Sequence, residues 1–231
     1  MTQAPPPTLR SLFEALHAER VRTWAPGRVE ANVGQRRRLE AGADRARFIK
    51  PGDLVPDARL PQAGGGEVAL GELLRQGPLV LVFFRFAGCP ACNIALPYYQ
   101  AHLLPGLRRL GANLVALSPQ VPDRLVEIRT RHGLDFPILN DVDSRLAKAF
   151  GIAFEPDAEA RTRSAANGYP PVREMTGAAN DAFPMPAVIV VGQDRRVVFA
   201  DVTPDWLART EPGPVLGAVA AIEARAAELT H

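Results

Sequence analysis

The feature that most constrains this chain is an apolar run, Leu79-Val80-Leu81-Val82-Phe83-Phe84, followed by a turn, Arg85-Phe86-Ala87-Gly88, and then Cys89-Pro90-Ala91-Cys92 at the start of a helical stretch. A short β-rich run without polar alternation is what a strand buried on both faces requires. Such a strand must be covered by helices on each side, which predicts an α/β architecture. Pro90 suits the first position of a helix, where no N–H is needed, and this leaves Cys89 at the cap. A cap cysteine faces the free N–H groups and the positive end of the helix dipole. That setting favours the thiolate, which is the nucleophilic form. Cys92 lies one turn further on, within reach for a disulfide and more enclosed. The roles expected from this spacing are attack by Cys89 and resolution by Cys92.

These are the only two cysteines in 231 residues. Two cysteines cannot staple a scaffold, and a chain of this size does not need stapling. A zinc site would need more ligands, yet there is no second CxxC, and His17, His102, His132 and His231 lack partner spacing. Neither a metal nor another cofactor is therefore expected. Two inert core cysteines are the remaining alternative to redox chemistry.

With 47% hydrophobic and 23% charged residues the chain is neither disordered nor fibrous, and a net charge of +2 gives no case for nucleic acid. The longest apolar run, Pro78 to Phe84, is too short to span a bilayer, so no membrane association is expected. The start, MTQAPPPTLRSLFEALHAER, lacks the apolar centre of a signal peptide. A cytoplasmic location follows as the expectation, and there a close cysteine pair stays reduced between turnovers.

Residues 1–7 read as disordered. Thr8 can cap a helix with an apolar stripe Leu9, Leu12, Phe13 and Leu16. That helix should pack on the main domain or on a second subunit, which leaves a homodimer open. Residues 24–46 are charge-rich and read as a solvated helix or loop. A compact domain should begin at Pro51, giving a division into a helical extension, 1–50, and a domain, 51–231. Gly64-Gly65-Gly66 reads as a hairpin turn. Further strands are expected near 112–117, 136–139, 187–191 and 196–200, and helices near 90–110, 122–132, 143–150 and 212–229. Residues 152–183 break this rhythm and read as an inserted loop with one helix.

From Pro51 to Phe154 the chain resembles the peroxiredoxin-like AhpC/TSA branch of the thioredoxin superfamily. The resemblance rests on Pro51-Gly52-Asp53, Pro56-Asp57, Val82-Phe83-Phe84-Arg85, the Cys89-Pro90-Ala91-Cys92-Asn93 site, Gly111 to Gln120, Phe136 to Asp141 and Ala149-Phe150-Gly151. Pro184-Met185-Pro186-Ala187 is similar to the segment that holds the superfamily's cis-proline, and Arg209-Thr210-Glu211-Pro212 to the entry of its last helix. The resemblance implies a thioredoxin-like fold with a central mixed sheet flanked by helices. It implies Pro186 in cis beside Cys89, with Met185 touching the cysteine pair. Arg209, on family grounds, and Arg85, by proximity in sequence, are the candidates to hold the thiolate.

The sequence also departs from that pattern. Peroxiredoxins carry a proline and a threonine ahead of the attacking cysteine, and here those positions are Val82 and Phe86. Aromatic residues common around such cysteine pairs are replaced by Gly88 and Ala91. The leading expectation is a peroxidase whose disulfide is reduced by thioredoxin or another dithiol. The alternative is a thioredoxin-like reductase of protein or small-molecule disulfides using the same pair. A third reading is a non-catalytic binding module. Tyr98, Tyr99 and Trp206 read as packing residues.

Overall fold

The computed structural model describes residues 6–166 and 168–228; residues 1–5 of the segment read as disordered, and Leu229 of the expected last helix, lie outside them. Thr8 caps α1 (Leu9–Thr23), its side chain accepting a hydrogen bond from Ser11 N at 3.1 Å. Leu9 and Phe13 of the expected stripe are buried, and so, further along the same face, is Arg20. Helix α2 (Pro26–Gly42) buries no residue, as its charge-rich sequence requires.

The hairpin β1 (Arg59–Pro61) and β2 (Glu67–Ala69) turns through Gly64 to Gly66, all at positive φ. Helix α3 (Leu70–Gln76) leads into β3 (Leu79–Phe83), every residue of which is buried. The stretch expected as one helix to Leu110 is two, α4 (Pro90–His102) and α5 (Leu104–Arg109). The break falls at Leu103 because Pro105 has no N–H to donate, and its ring would meet the carbonyl four residues back. Next come β4 (Asn113–Ser118), α6 (Pro122–His132), closed by Gly133 in the left-handed region, β5 (Ile138–Asn140) and α7 (Arg145–Ala149). Residues 152–183 hold more structure than a loop with one helix. Strands β6 (Ala153–Phe154) and β7 (Phe183–Pro184) pair with each other and bracket α8 (Ala158–Ala166) and α9 (Val172–Thr176). Strands β8 (Ala187–Val191) and β9 (Val197–Val202) and helix α10 (Pro212–Glu228) complete the order.

The central sheet has the order β5-β4-β3-β8-β9, with β3, β4 and β5 parallel and β8 and β9 antiparallel. It is the mixed sheet expected. Alternation along β3 separates two cores: Val80, Val82 and Phe84 face one, with both cysteines and Leu9 and Phe13 of α1, while Leu79, Leu81 and Phe83 face the other. Burying Leu9 alone is worth about 2 kcal/mol. The first helix is thus joined to the core that carries the cysteines.

Two expectations around Pro186 are corrected. There is no cis peptide among the described residues, so Pro186 is trans. The backbone there is drawn out between partners: Phe183 and Pro184 pair with β6, Met185 N donates to Ile152 O at 2.7 Å, and the Pro186 carbonyl accepts from Thr203 N at 2.8 Å. That extended run suits the trans form, which X–Pro bonds prefer by about 0.5–1 kcal/mol. Met185 packs in the core on the far side of the sheet from the cysteines, so it does not serve as their neighbour.

Candidate active site

Cys89 is the cap residue of α4 and Pro90 its first residue, with Cys89 in extended backbone at φ −71° and ψ 118°. The turn from β3 is pinned on both sides. Ser118 Oγ donates to Arg85 O at 2.9 Å, and Ala87 N donates to Gln120 Oε1 at 2.8 Å. Asn93 Nδ2 donates to Ala87 O at 2.6 Å and to Cys89 O at 2.9 Å. Asn93 Oδ1 in turn accepts from Arg131 at 3.0 Å and lies 2.7 Å from His132 Nε2. These bonds fix the orientation of the Cys89 backbone before any substrate arrives.

Both cysteines are buried free thiols. Cys89 borders a cavity of about 430 Å³, whereas Cys92 is absent from its wall. The Cys89 thiol is held below the ordinary range, first by a hydrogen bond from Cys92 and then by the charges of Arg85 and Arg209, against the opposing effect of burial. Burial and the neighbouring Cys89 charge push Cys92 up. The two thiols are therefore shifted in opposite directions, Cys89 towards the thiolate and Cys92 towards the protonated form.

Arg85 and Arg209 both come to the cysteines, by different routes. Arg85 lines the cavity, its Cζ 4.8 Å from the ring centre of Phe183 and 5.4 Å from that of Trp206. Arg209 Nη2 lies 3.9 Å from Cys92 Sγ, while its Nη1 donates to Trp206 O and Ala208 O at 2.5 and 2.6 Å. Pro186 is not part of the cavity wall; it sits at the entry to β8. Tyr99 is a core residue, its hydroxyl donating to Thr210 O at 2.8 Å. Trp206, read as packing, is buried and also forms part of the cavity wall.

Sequence reasoning missed Arg20. It is buried, lines the cavity and interacts electrostatically with Cys89. A signal existed: residue 20 follows residue 9 by three helical turns and falls on the stripe begun by Leu9 and Phe13. The segment 152–183 supplies more of the wall, including Tyr169, Val172 and Phe183.

A helix-cap cysteine with a second cysteine one turn away, on a thioredoxin-like sheet, defines a thiol-based redox protein. The profile of the AhpC/TSA family matches residues 51–200, and the chain belongs to that family. A putative peroxiredoxin of Mycobacterium tuberculosis (strain H37Rv) is 31% identical over 114 residues, covering 49% of this chain and 71% of the relative. The peroxiredoxin Bcp of Escherichia coli (strain K12) is 29% identical over 105 residues, covering 45% of this chain and 65% of the relative. Among solved structures, the peroxidoxin BcpB of Mycobacterium tuberculosis aligns with a TM-score of 0.58 at 22% identity, over 76% of this chain and 99% of that one. Among the described residues no helix is long and apolar enough to cross a membrane.

Proposed function

We propose that this protein is a thiol-dependent peroxidase in which Cys89 attacks and Cys92 resolves. The observation that carries the reading is the cap position of Cys89 beside a cavity, with Cys92 fully buried one turn below. The Cys89 thiolate attacks the terminal oxygen of a hydroperoxide and becomes a sulfenic acid, releasing an alcohol or water. Cys92 displaces water from that sulfenic acid and the disulfide forms. A dithiol of the thioredoxin kind then reduces it by exchange, starting at Cys89, the sulfur that borders the cavity. The cavity is larger than hydrogen peroxide requires, and its apolar wall suits an organic hydroperoxide.

Disulfide reduction by the same pair is the second reading, and the replacement of the family threonine by Phe86 favours it. Two assays on one preparation test the choice. Consumption of cumene hydroperoxide with thioredoxin and its reductase should proceed at least tenfold faster than reduction of insulin. Insulin reduction without peroxide consumption would reverse the assignment.

A further inference from the structure

The wall of the Cys89 cavity is not built from the family region alone. Arg20 of α1 and Trp24, the residue that ends it, both outside residues 51–200, close it on one side. Arg20 is 5% exposed and lies between two indoles, its Cζ 4.9 Å from the Trp24 ring centre and 5.3 Å from that of Trp206. Arg85 lies against Trp206 in the same way, at 5.4 Å. Guanidinium and aromatic groups thus alternate from the cavity wall to the cysteine.

The acids near this stack are engaged elsewhere. Asp205 pairs with Arg36 at 2.9 Å and Asp181 with Arg173 at 2.6 Å. Among the described residues no acceptor meets Arg20 Nη1, Arg85 Nε or Trp206 Nε1, although all three atoms are buried. Stacking on indole accounts for burying a guanidinium plane, worth about 0.5–2 kcal/mol, but not for leaving its N–H groups unmatched. Three unmatched donors around one cavity, two of them on cations, are arranged for negative charge that arises during the reaction. Phe86, also in the wall, offers no hydrogen bond.

We propose that Arg20, together with Arg85 and Trp206 Nε1, receives the leaving oxygen of the hydroperoxide, so that α1 contributes a catalytic residue to the site. This rests on the peroxidase reading above. Cys89 Sγ attacks the terminal oxygen, the S–O bond forms and the O–O bond breaks. Sulfur is oxidised by two electrons to the sulfenic acid, and the peroxide is reduced by the same two. The alkoxide leaves with the bonding pair, is held by the three donors and takes a proton from water.

The test compares wild type with Arg20→Met and Arg20→Lys, each checked for folding by its thermal midpoint. Two single-turnover rates are read on Cys89 at a pH where its thiolate is fully formed: cumene hydroperoxide reduction and alkylation by iodoacetamide. The alkylation shares the nucleophile but has no oxygen leaving group. Arg20→Met should slow peroxide reduction about 100-fold, the usual cost of one such donor, and change alkylation less than threefold. Arg20→Lys, which keeps the charge, should recover at least tenfold of that loss. Equal slowing of both reactions would make Arg20 a packing residue, and unchanged peroxide reduction in a folded Arg20→Met would overturn the proposal. If Arg20→Met does not fold, Arg20→Gln decides: a loss confined to peroxide reduction supports the proposal, and an unchanged rate or a loss shared with alkylation overturns it. A wild type that fails to consume peroxide would instead refute the peroxidase reading itself.

Discussion

Arg209 Nη2 lies 3.9 Å from Cys92 Sγ, so this arginine contacts the second thiol, while its charge also acts on Cys89. It is held there by bonds to Trp206 O and Ala208 O. A cation beside Cys92 opposes the burial that keeps the thiol protonated, and Cys92 must release its proton to close the disulfide. Arg209→Met should therefore slow conversion of sulfenic acid to disulfide by about tenfold, one pKa unit's worth of charge interaction. Acid-quenched thiol counting after a single addition of peroxide measures that step. An unchanged closure rate would remove Arg209 from it.

Cys89 is acidic in the folded protein, and the sign of the pH effect follows. Its folded pKa lies below the unfolded value of about 8.5, so folding favours the thiolate. The resulting stability is fully present above about pH 8.5 and is lost as pH falls through the folded pKa. The stability of wild type relative to Cys89→Ser should accordingly decline on acidification, measured by urea unfolding under reducing conditions. Alkylation of reduced wild type at about pH 6 should label Cys89 before Cys92, since an ordinary thiol is almost wholly protonated there. Mass spectrometry of the labelled peptides would show the order, and Cys92 labelling first would contradict the assigned asymmetry.

Leu9 joins α1 to the core that holds the cysteines and has no exposed surface. Leu9→Ala should cost about 3 kcal/mol of unfolding free energy, from lost transfer energy and the cavity left behind. Because the same helix carries Arg20, peroxide turnover should become temperature-sensitive below the global unfolding midpoint. A loss under 1 kcal/mol by urea titration would show that α1 is only loosely attached.

The strand, the cap cysteine and Pro90 were legible because each is a local device, specified by a few adjacent residues. The trans state of Pro186 was not, since it depends on Thr203 and Ile152 holding the chain extended from distant parts of the fold. Met185 was misassigned because the face a residue presents depends on pairing with distant segments: Met185 lies between β7 and β8, where its N–H bonds Ile152 O. Arg20 was hidden by its charge: an arginine on a helix reads as solvated, and the tryptophans that enclose it are Trp24, one turn along, and Trp206, near the other end of the chain.

That Cys89 attacks peroxide and Cys92 resolves is tested by trapping the first intermediate. Cys92→Ser, treated with one equivalent of cumene hydroperoxide in the presence of dimedone, is digested and analysed by mass spectrometry. The expected product is a dimedone adduct on Cys89 in near-stoichiometric yield, with wild type giving a Cys89–Cys92 disulfide and little adduct. An unmodified Cys89 thiol in Cys92→Ser, with peroxide left unconsumed, would contradict it.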